Sequence, residues 1–312
     1  GSYHIAGFGV DGISVTKDRV YIGNGIYGFV ILDVSDPANP KRLGEYSPQG
    51  IVNDVCVSNG YAYVTSYHMQ KQIAVGELHV VDVTNPVHPI ELGSITWSGV
   101  VPYHLVIVGE YAYLASSGRF SIVNISNPCA PEEVSYYETS AIDIAVSDSI
   151  ACIAAGRRGL QIFDISDPTS PQFLGYCYAG DQVLAVIVRD NYAYVAYGYR
   201  GLRILDVSDP YYPFEVGYYN NNALGSYDTG AWIHDLLLIE HYAYLLDRRG
   251  TLYVIDISMP TNPQKVAEID FGGRLFNICR YGGYAYISSS PVVHSGRLHL
   301  IDISKPANPT LI

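Results

Sequence analysis

The sequence predicts an all-β fold: a seven-bladed β-propeller of four-stranded antiparallel blades, its ring closed by the two termini completing one blade. Three observations predict it. The stretch Asp33-Val34-Ser35-Asp36-Pro37-Ala38-Asn39-Pro40 returns six more times, at Asp82 to Pro89, Asn124 to Pro131, Asp164 to Pro171, Asp206 to Pro213, Asp256 to Pro263 and Asp302 to Pro309. A second motif, read as Tyr-Ala-Tyr-Val, alternates with it and starts at Arg19, Tyr61, Tyr111, Ile150, Tyr192, Tyr242 and Tyr284. The two ends of the chain, joined, read Pro309-Thr310-Leu311-Ile312-Gly1-Ser2-Tyr3, which parallels Pro40-Lys41-Arg42-Leu43-Gly44-Glu45-Tyr46.

The first motif is a strand stop. Of the 17 prolines only Pro48, Pro102 and Pro291 lie outside its copies. Pro removes a donor from a β-ladder, and the Asp and Ser side chains can bond nearby backbone N–H groups, so a strand running into Asp-x-Ser-Asp-Pro must turn there. The second motif is a hairpin. Its alternation of Tyr with Ala suits a half-buried strand, and Asn59-Gly60, Asp190-Asn191 and Gly282-Gly283 just before it supply turn geometry. Together the two give four strands per unit. In the second unit these are Asp54 to Val57, Tyr61 to Val64, Leu78 to Val83 and Ile90 to Ile95.

Seven such units of about 42 residues make one propeller domain over residues 1–312. The competing arrangement is an open solenoid, and the ends decide between them. A fourth strand that is cut at Ile312 and continued at Gly1 removes two free sheet edges only if the ring closes.

Composition narrows the function. The net charge is −12 and the pI about 5.0, which excludes the basic footprint that nucleic acid requires. No run of about 18 apolar residues offers a membrane span. The five cysteines, Cys56, Cys129, Cys152, Cys177 and Cys279, lack metal-binding spacing and read as small buried hydrophobes. There is no nucleophile elbow, P-loop or dinucleotide fingerprint. The Asn124-Ile125-Ser126 sequon occupies an organising turn and reads as structure.

The insertions point to one face. First-to-second hairpins and third-to-fourth turns share a bottom face, and both are nearly constant. Second-to-third loops and blade crossovers share the top face. The extra segments, roughly Tyr67 to Gly76, Tyr218 to Trp232 and Ser289 to Gly296, all fall on the top. Insertions confined to one face mark it as the binding face.

Two groups of residues there could carry chemistry. Seven residues before each hairpin start stands the mouth of an innermost strand, and this ring reads Gly12, Asp54, His104, Asp143, Ala185, Asp235, Asn277, with Asn53 and His234 beside it. Carboxylates gathered around one axis repel, which raises a pKa or recruits a cation. Asp54, Asp143 and Asp235 are therefore the candidate ligands for a Ca or Zn ion at the channel mouth; channel residues satisfied by water are the plainer alternative. The second group is arginine: Arg119, Arg157, Arg158, Arg200, Arg248, Arg249 and Arg297 in second-to-third loops, and Arg274 in a crossover. Arg forks hold carboxylates or sulfates bidentately, unless Asp143, Asp228, Asp235 or Asp247 pairs with them instead. Tyr67, Trp97, Tyr103, Tyr227 and Trp232 could offer flat faces to a sugar.

The combined pattern, Tyr-Ala-Tyr-Val, then Gly-Leu-x-Ile-x-Asp-Val-Ser-Asp-Pro, then Pro-x-x-x-Gly-x-Tyr, stands most fully at Tyr192 to Tyr218. It resembles the LVIVP-repeat family of bacterial and archaeal surface or secreted proteins and spans the whole chain. The fourth blade departs from it at Ile150-Ala151-Cys152-Ile153, and Met259 and Lys305 replace the second Asp of the turn in the last two blades. The resemblance implies an extracellular propeller and leaves the activity open.

The expected function is an extracellular or cell-surface binding module, with any signal or anchor lying outside this sequence. It would recognise a glycan, a surface polymer or a protein through Asp54, His104, Asp143, Arg158, Arg200, Trp232, His234, Asp235, Arg249, Arg274, Asn277 and Arg297. A monomer, or one segment of a larger surface chain, is expected. The alternative is a lyase or hydrolase acting on an acidic, uronic-acid polysaccharide, with His104 or His234 as base, Tyr103 as acid and an Arg neutralising the uronate.

Overall fold

The computed structural model describes residues 2–6, 12–178, 180–220, 232–292 and 295–312. All regular structure among them is β, and no helix is long and apolar enough to cross a membrane. The strands form seven sheets, each a simple antiparallel meander. Blade 1, for example, runs Ile13–Thr16, Arg19–Gly23, Phe29–Asp33 and Lys41–Tyr46. Blade 7 is the composite one. Arg274–Tyr281, Tyr284–Val292 and Ser295–Asp302 are its inner strands, and two short segments share its outer position. Thr310 and Leu311 pair with Asp302 and Ile301, and Ser2–Ala6 takes over from His299 onward. This is the closure that the joined ends imply.

The ring is held between blades. Seven apolar clusters form, each joining one blade to the next. One of them packs Tyr286, Leu298 and Leu300 of blade 7 against Ile13, Val20, Ile22 and Leu32 of blade 1, with Ile5 from the N-terminal strand alongside. The hairpin alanines Ala62, Ala112, Ala151, Ala193, Ala243 and Ala285 are fully buried there. A larger side chain would force neighbouring sheets apart.

The organising turn does the work its chemistry predicts. In all seven copies the first Asp or Asn accepts the backbone N–H of the Ser or Thr two places on, at 2.8–2.9 Å. Five copies repeat the device with the second Asp or Asn. Blades 6 and 7, with Met259 and Lys305, keep only the backbone bond of that turn, from Asn262 N–H to Met259 O and from Asn308 N–H to Lys305 O. On the bottom face the residue after the organising Asp or Asn donates to the first hairpin of its own blade, as Val34 N–H does to Asp18 O at 2.8 Å, and this stitch recurs in every blade. The glycine of Pro-x-x-x-Gly-x-Tyr has a contact reason: a Cβ on Gly217 would collide with the carbonyl of Pro260 in the next blade's turn.

The strands of blade 2 are longer than expected: Ile51–Ser58, Tyr61–Gln70, Ile73–Asp82 and Ile90–Ser98. The inserted segment Tyr67 to Gly76 is not a loop. It continues the central hairpin upward as a two-stranded arm, with Gln70 opposite Ile73 and a tip at Lys71 and Gln72, both at positive φ. The rising side, Tyr67-His68-Met69-Gln70, alternates polar and apolar residues, the returning side Ile73-Ala74-Val75-Gly76 is apolar throughout, and the two-residue turn between them makes the extension. Blade 7 extends its hairpin in the same manner to Val292 opposite Ser295. Most of the segment from Tyr218 to Trp232 lies outside the described residues.

Candidate functional site

The innermost strands surround a central channel of about 760 Å³. Equivalent register places the predicted ring at one depth: Asp54 opposite Thr65, His104 opposite Ala115, Asp143 opposite Ala154, Ala185 opposite Ala196, Asp235 opposite Leu246 and Asn277 opposite Ser288. In blades 2, 3, 6 and 7 the ladder slips by one residue just before the ring. Such a bulge re-aims the extra residue. Here it turns Asn53, Tyr103, His234 and Phe276 toward the channel wall.

The three aspartates have a role that the sequence did not disclose. Asp54 accepts the N–H of Val55 in its own strand and of Leu105 in the next blade, at 2.8 and 3.0 Å. Asp143 does the same with Ile144 and Val186, and Asp235 with Leu236 and Ile278. Each carboxylate thus staples an even-numbered blade to its successor. Gly12 carries no side chain because a Cβ there would meet Asp54.

His104 is clamped between two of these staples. Its Nδ1 lies 2.8 Å from Asp54 Oδ2 and its Nε2 3.2 Å from Asp143 Oδ1. Two ring nitrogens facing two carboxylates require the doubly protonated imidazolium, since a neutral ring donates from only one. Burial alone would lower the pKa, but Asp143, then Asp54 and the hydrogen bond to it, push it up to about 10. Asp143 is nonetheless raised above its usual range, because burial outweighs the help it receives from His104. The ring geometry decides for the ion pair. Asp235 has no such partner. Burial first, and Asp143 second, push it up to about 7, against its two backbone hydrogen bonds.

His234 is the opposite case. Burial, with Arg248 and Arg274 nearby, holds it down at about 4, so it is neutral. Its Nε2–H donates to Phe276 O at 3.1 Å, and Nδ1 lies 3.4 Å from Trp232 O.

The arginines divide. Arg248 and Arg274 line the cavity, and neither forms an ion pair among the described residues. Arg248 lies over the Trp232 ring at 5.1 Å and Arg274 over Phe276 at 5.2 Å. Trp232 is itself braced edge-on by Tyr199 at 4.5 Å. Burial and then Arg274 lower the pKa of Arg248, so the two cations sense one another. Arg158, Arg200, Arg249 and Arg297 lie outside the cavity wall. Arg119 is paired with Glu133 at 2.9 Å and stacked on Tyr136. Of the proposed acidic partners, Asp247 caps its own turn through Arg249 N–H and Thr251 N–H, and Asp228 lies outside the described residues. Of the proposed sugar platforms, Trp97 is 8% exposed and belongs to the core, Tyr103 is 44% exposed at the cavity, and Tyr227 lies outside the described residues.

The donor set does not suit Ca or Zn. Each oxygen of Asp54, Asp143 and Asp235 has one lone pair committed to a backbone N–H, and a protonated His104 cannot ligate a metal. No group of three or more His, Cys, Asp or Glu among the described residues is arranged to hold a metal ion.

Comparison with known proteins supports the fold and the repeat. No curated protein matches the chain. Among solved structures, the chain is similar to the computationally designed Ika8 protein, with a TM-score of 0.62 at 12% identity, covering 93% of this chain and 96% of that one. At that identity the likeness concerns the fold alone. The model of the LVIVD repeat matches seven times, at residues 9–47, 49–96, 103–139, 140–179, 180–221, 233–270 and 272–312. The repeat's name ends in Asp rather than Pro, and every match contains one blade's third strand running into the organising residue, Asn124 in blade 3 and Asp in the other six. With these matches tiling the ring blade by blade, the chain belongs to the LVIVD-repeat family.

Proposed function

We propose that this propeller is a binding module that takes an anionic group of its ligand, a uronate or other carboxylate, at the channel mouth between Arg248 and Arg274. One observation carries the reading. Two arginines without acidic partners among the described residues are held on aromatic rings at the rim of a cavity large enough for a sugar or a peptide end. A stacked guanidinium is already oriented, so it loses little freedom on gripping a carboxylate. The ligand class is an acidic glycan or surface polymer, and the setting we propose is extracellular or cell surface, following the family resemblance.

The lyase reading has less support. A base needs a free lone pair. His104 has none while it is protonated between two carboxylates, and the one lone pair of neutral His234 sits on a nitrogen that faces a backbone carbonyl.

A thermal-shift panel of matched neutral and acidic oligosaccharides tests the proposal. At about 100 times its dissociation constant an acidic ligand adds roughly 2.7 kcal/mol, which raises the Tm, while the neutral counterpart leaves it unchanged. Equal shifts for both, or none for either, would sink the anion reading.

A further inference from the structure

We propose that the outer edge of blade 4 is a docking surface for a second copy of this chain, the two edges pairing antiparallel about a two-fold axis so that the blade 4 sheets join. The outer strand of each of blades 1 to 6 ends its sheet and leaves one row of backbone N–H and C=O groups unpaired, a template for another strand unless something blunts it. Two protections recur. All six outer strands carry a bulge. Five of them add charged side chains, such as Arg42 and Glu45 in blade 1 or Lys265 and Glu268 in blade 6. Blade 4 lacks the second protection: its strand Gln172–Cys177 reads Gln-Phe-Leu-Gly-Tyr-Cys and carries no charge.

Aromatic residues flank that edge. On the blade 3 side, Phe173 meets Phe163 edge-on at 5.4 Å. On the blade 5 side, the organising turn lies against Gly175, where a Cβ would meet the carbonyls of Pro210 and Tyr211. That turn alone among the seven sets two tyrosines, Tyr211 and Tyr212, between its prolines. Phe173, Tyr176, Tyr178, Tyr211, Tyr212 and Phe214 are 42–78% exposed. At about 200 Å² a ring, their open surface comes to about 700 Å². That exceeds the largest apolar patch of most monomers and is close to the ~800 Å² that each partner buries in a standard interface. Charge selects the occupant. The chain carries −12, so most of its faces repel those of another copy, but Gln172 to Tyr178 and Pro210 to Phe214 contain no charged residue. Two copies can therefore meet here without that cost. An uncharged edge set against its own image under a two-fold axis is self-complementary, and the strands then run antiparallel, as every pairing within the blade does. The surface lies on the circumference of the ring and is independent of the anion site at the channel mouth.

Sedimentation velocity of the wild type, Tyr176→Lys, Tyr212→Lys and Val266→Lys tests it, in a concentration series up to about 200 µM, since an interface of this size binds in the micromolar range or tighter. At the top of the series the wild type should sediment at twice the mass of one chain. A lysine on the edge at Tyr176, or on the turn at Tyr212, should weaken the association about 10-fold or more; the turn variant serves if the strand variant does not fold. Val266→Lys, on the exposed part of blade 6's outer strand, should leave it unchanged. A wild type that stays at the mass of one chain would overturn the proposal, as would a dimer that both tyrosine variants leave intact or that all three variants weaken equally. A single-chain wild type that binds cellohexaose, and loses it in Tyr212→Lys, would also overturn it and assign the aromatic surface to a neutral glycan.

Discussion

Replacing His104 by Ala removes the imidazolium that separates Asp54 from Asp143 and ties blades 2, 3 and 4 at the channel. Breaking one partner of a buried ion pair costs about 3–5 kcal/mol. The His104 side chain keeps 35% of its surface open to the channel, so solvent screens part of that, and about 2–3 kcal/mol is the expected loss. With an unfolding entropy of roughly 2 cal/mol/K per residue, a 312-residue chain should lose about 3–5 °C in Tm. The deficit must depend on pH with a definite sign. In the unfolded chain the imidazole titrates near about 6.5; in the folded protein it titrates at about 10. The folded state therefore binds the proton more tightly, and the stabilisation is complete below about 6.5 and drains away as pH rises through about 10. Differential scanning calorimetry of the wild type and His104→Ala at pH 6, 8 and 10 reads this directly. The gap in Tm should be widest at pH 6 and nearly closed at pH 10. An equal Tm at pH 6, or a gap that widens toward pH 10, would refute the ion-pair account.

Asp235 gives a slope of the same sign in a lower pH window. Its folded pKa of about 7 lies above the carboxylate's ordinary value, so its contribution to stability falls between about pH 4 and 7, and Asp235→Asn should flatten that part of a urea-denaturation profile. Gly217→Ala drives a Cβ into the Pro260 carbonyl and should cost about 1–3 kcal/mol; Gly283→Ala, which meets nothing within 4 Å, should be close to neutral in the same denaturant titration. Ile5→Ala should cost about 2–4 kcal/mol, because Ile5 is 3% exposed and helps to join blade 7 to blade 1; an unchanged midpoint would mean that the N-terminal strand does not hold the ring shut.

Most of the fold was legible because it rests on local chemistry repeated seven times. The Asx bonds of Asp33, Asp82, Asn124 and their copies lie within two residues of each donor, and such bonds can be read from spacing alone. The ring of Gly12, Asp54, His104, Asp143, Ala185, Asp235 and Asn277 was equally legible, because a constant offset from a hairpin fixes the depth of a residue in a β-meander. What stayed hidden depends on contacts between blades. Nothing in the spacing says that Asp54 reaches Leu105 or that Asp235 reaches Ile278, 43 residues on in the latter case, so the carboxylates read as spare ligands when they are staples. The bulges at Asn53, Tyr103, His234 and Phe276 were missed for the same reason. The arginines divided only in three dimensions: neighbours in sequence, Arg248 turns into the cavity and Arg249 does not. The blade 2 arm was taken for a loop because its returning side, Ile73-Ala74-Val75-Gly76, carries no alternation to announce a strand.

The central claim is that Arg248 and Arg274 hold the ligand's anionic group. Isothermal titration of the wild type and an Arg248→Ala/Arg274→Ala variant, verified as folded by circular dichroism, with trigalacturonate and its neutral trisaccharide counterpart tests it most directly. Each charge-assisted hydrogen bond is worth about 1.5–3 kcal/mol, so the double variant should bind trigalacturonate at least 100-fold more weakly, and the wild type should ignore the neutral sugar. Unchanged affinity in the variant, or equal wild-type binding of both sugars, would contradict the account.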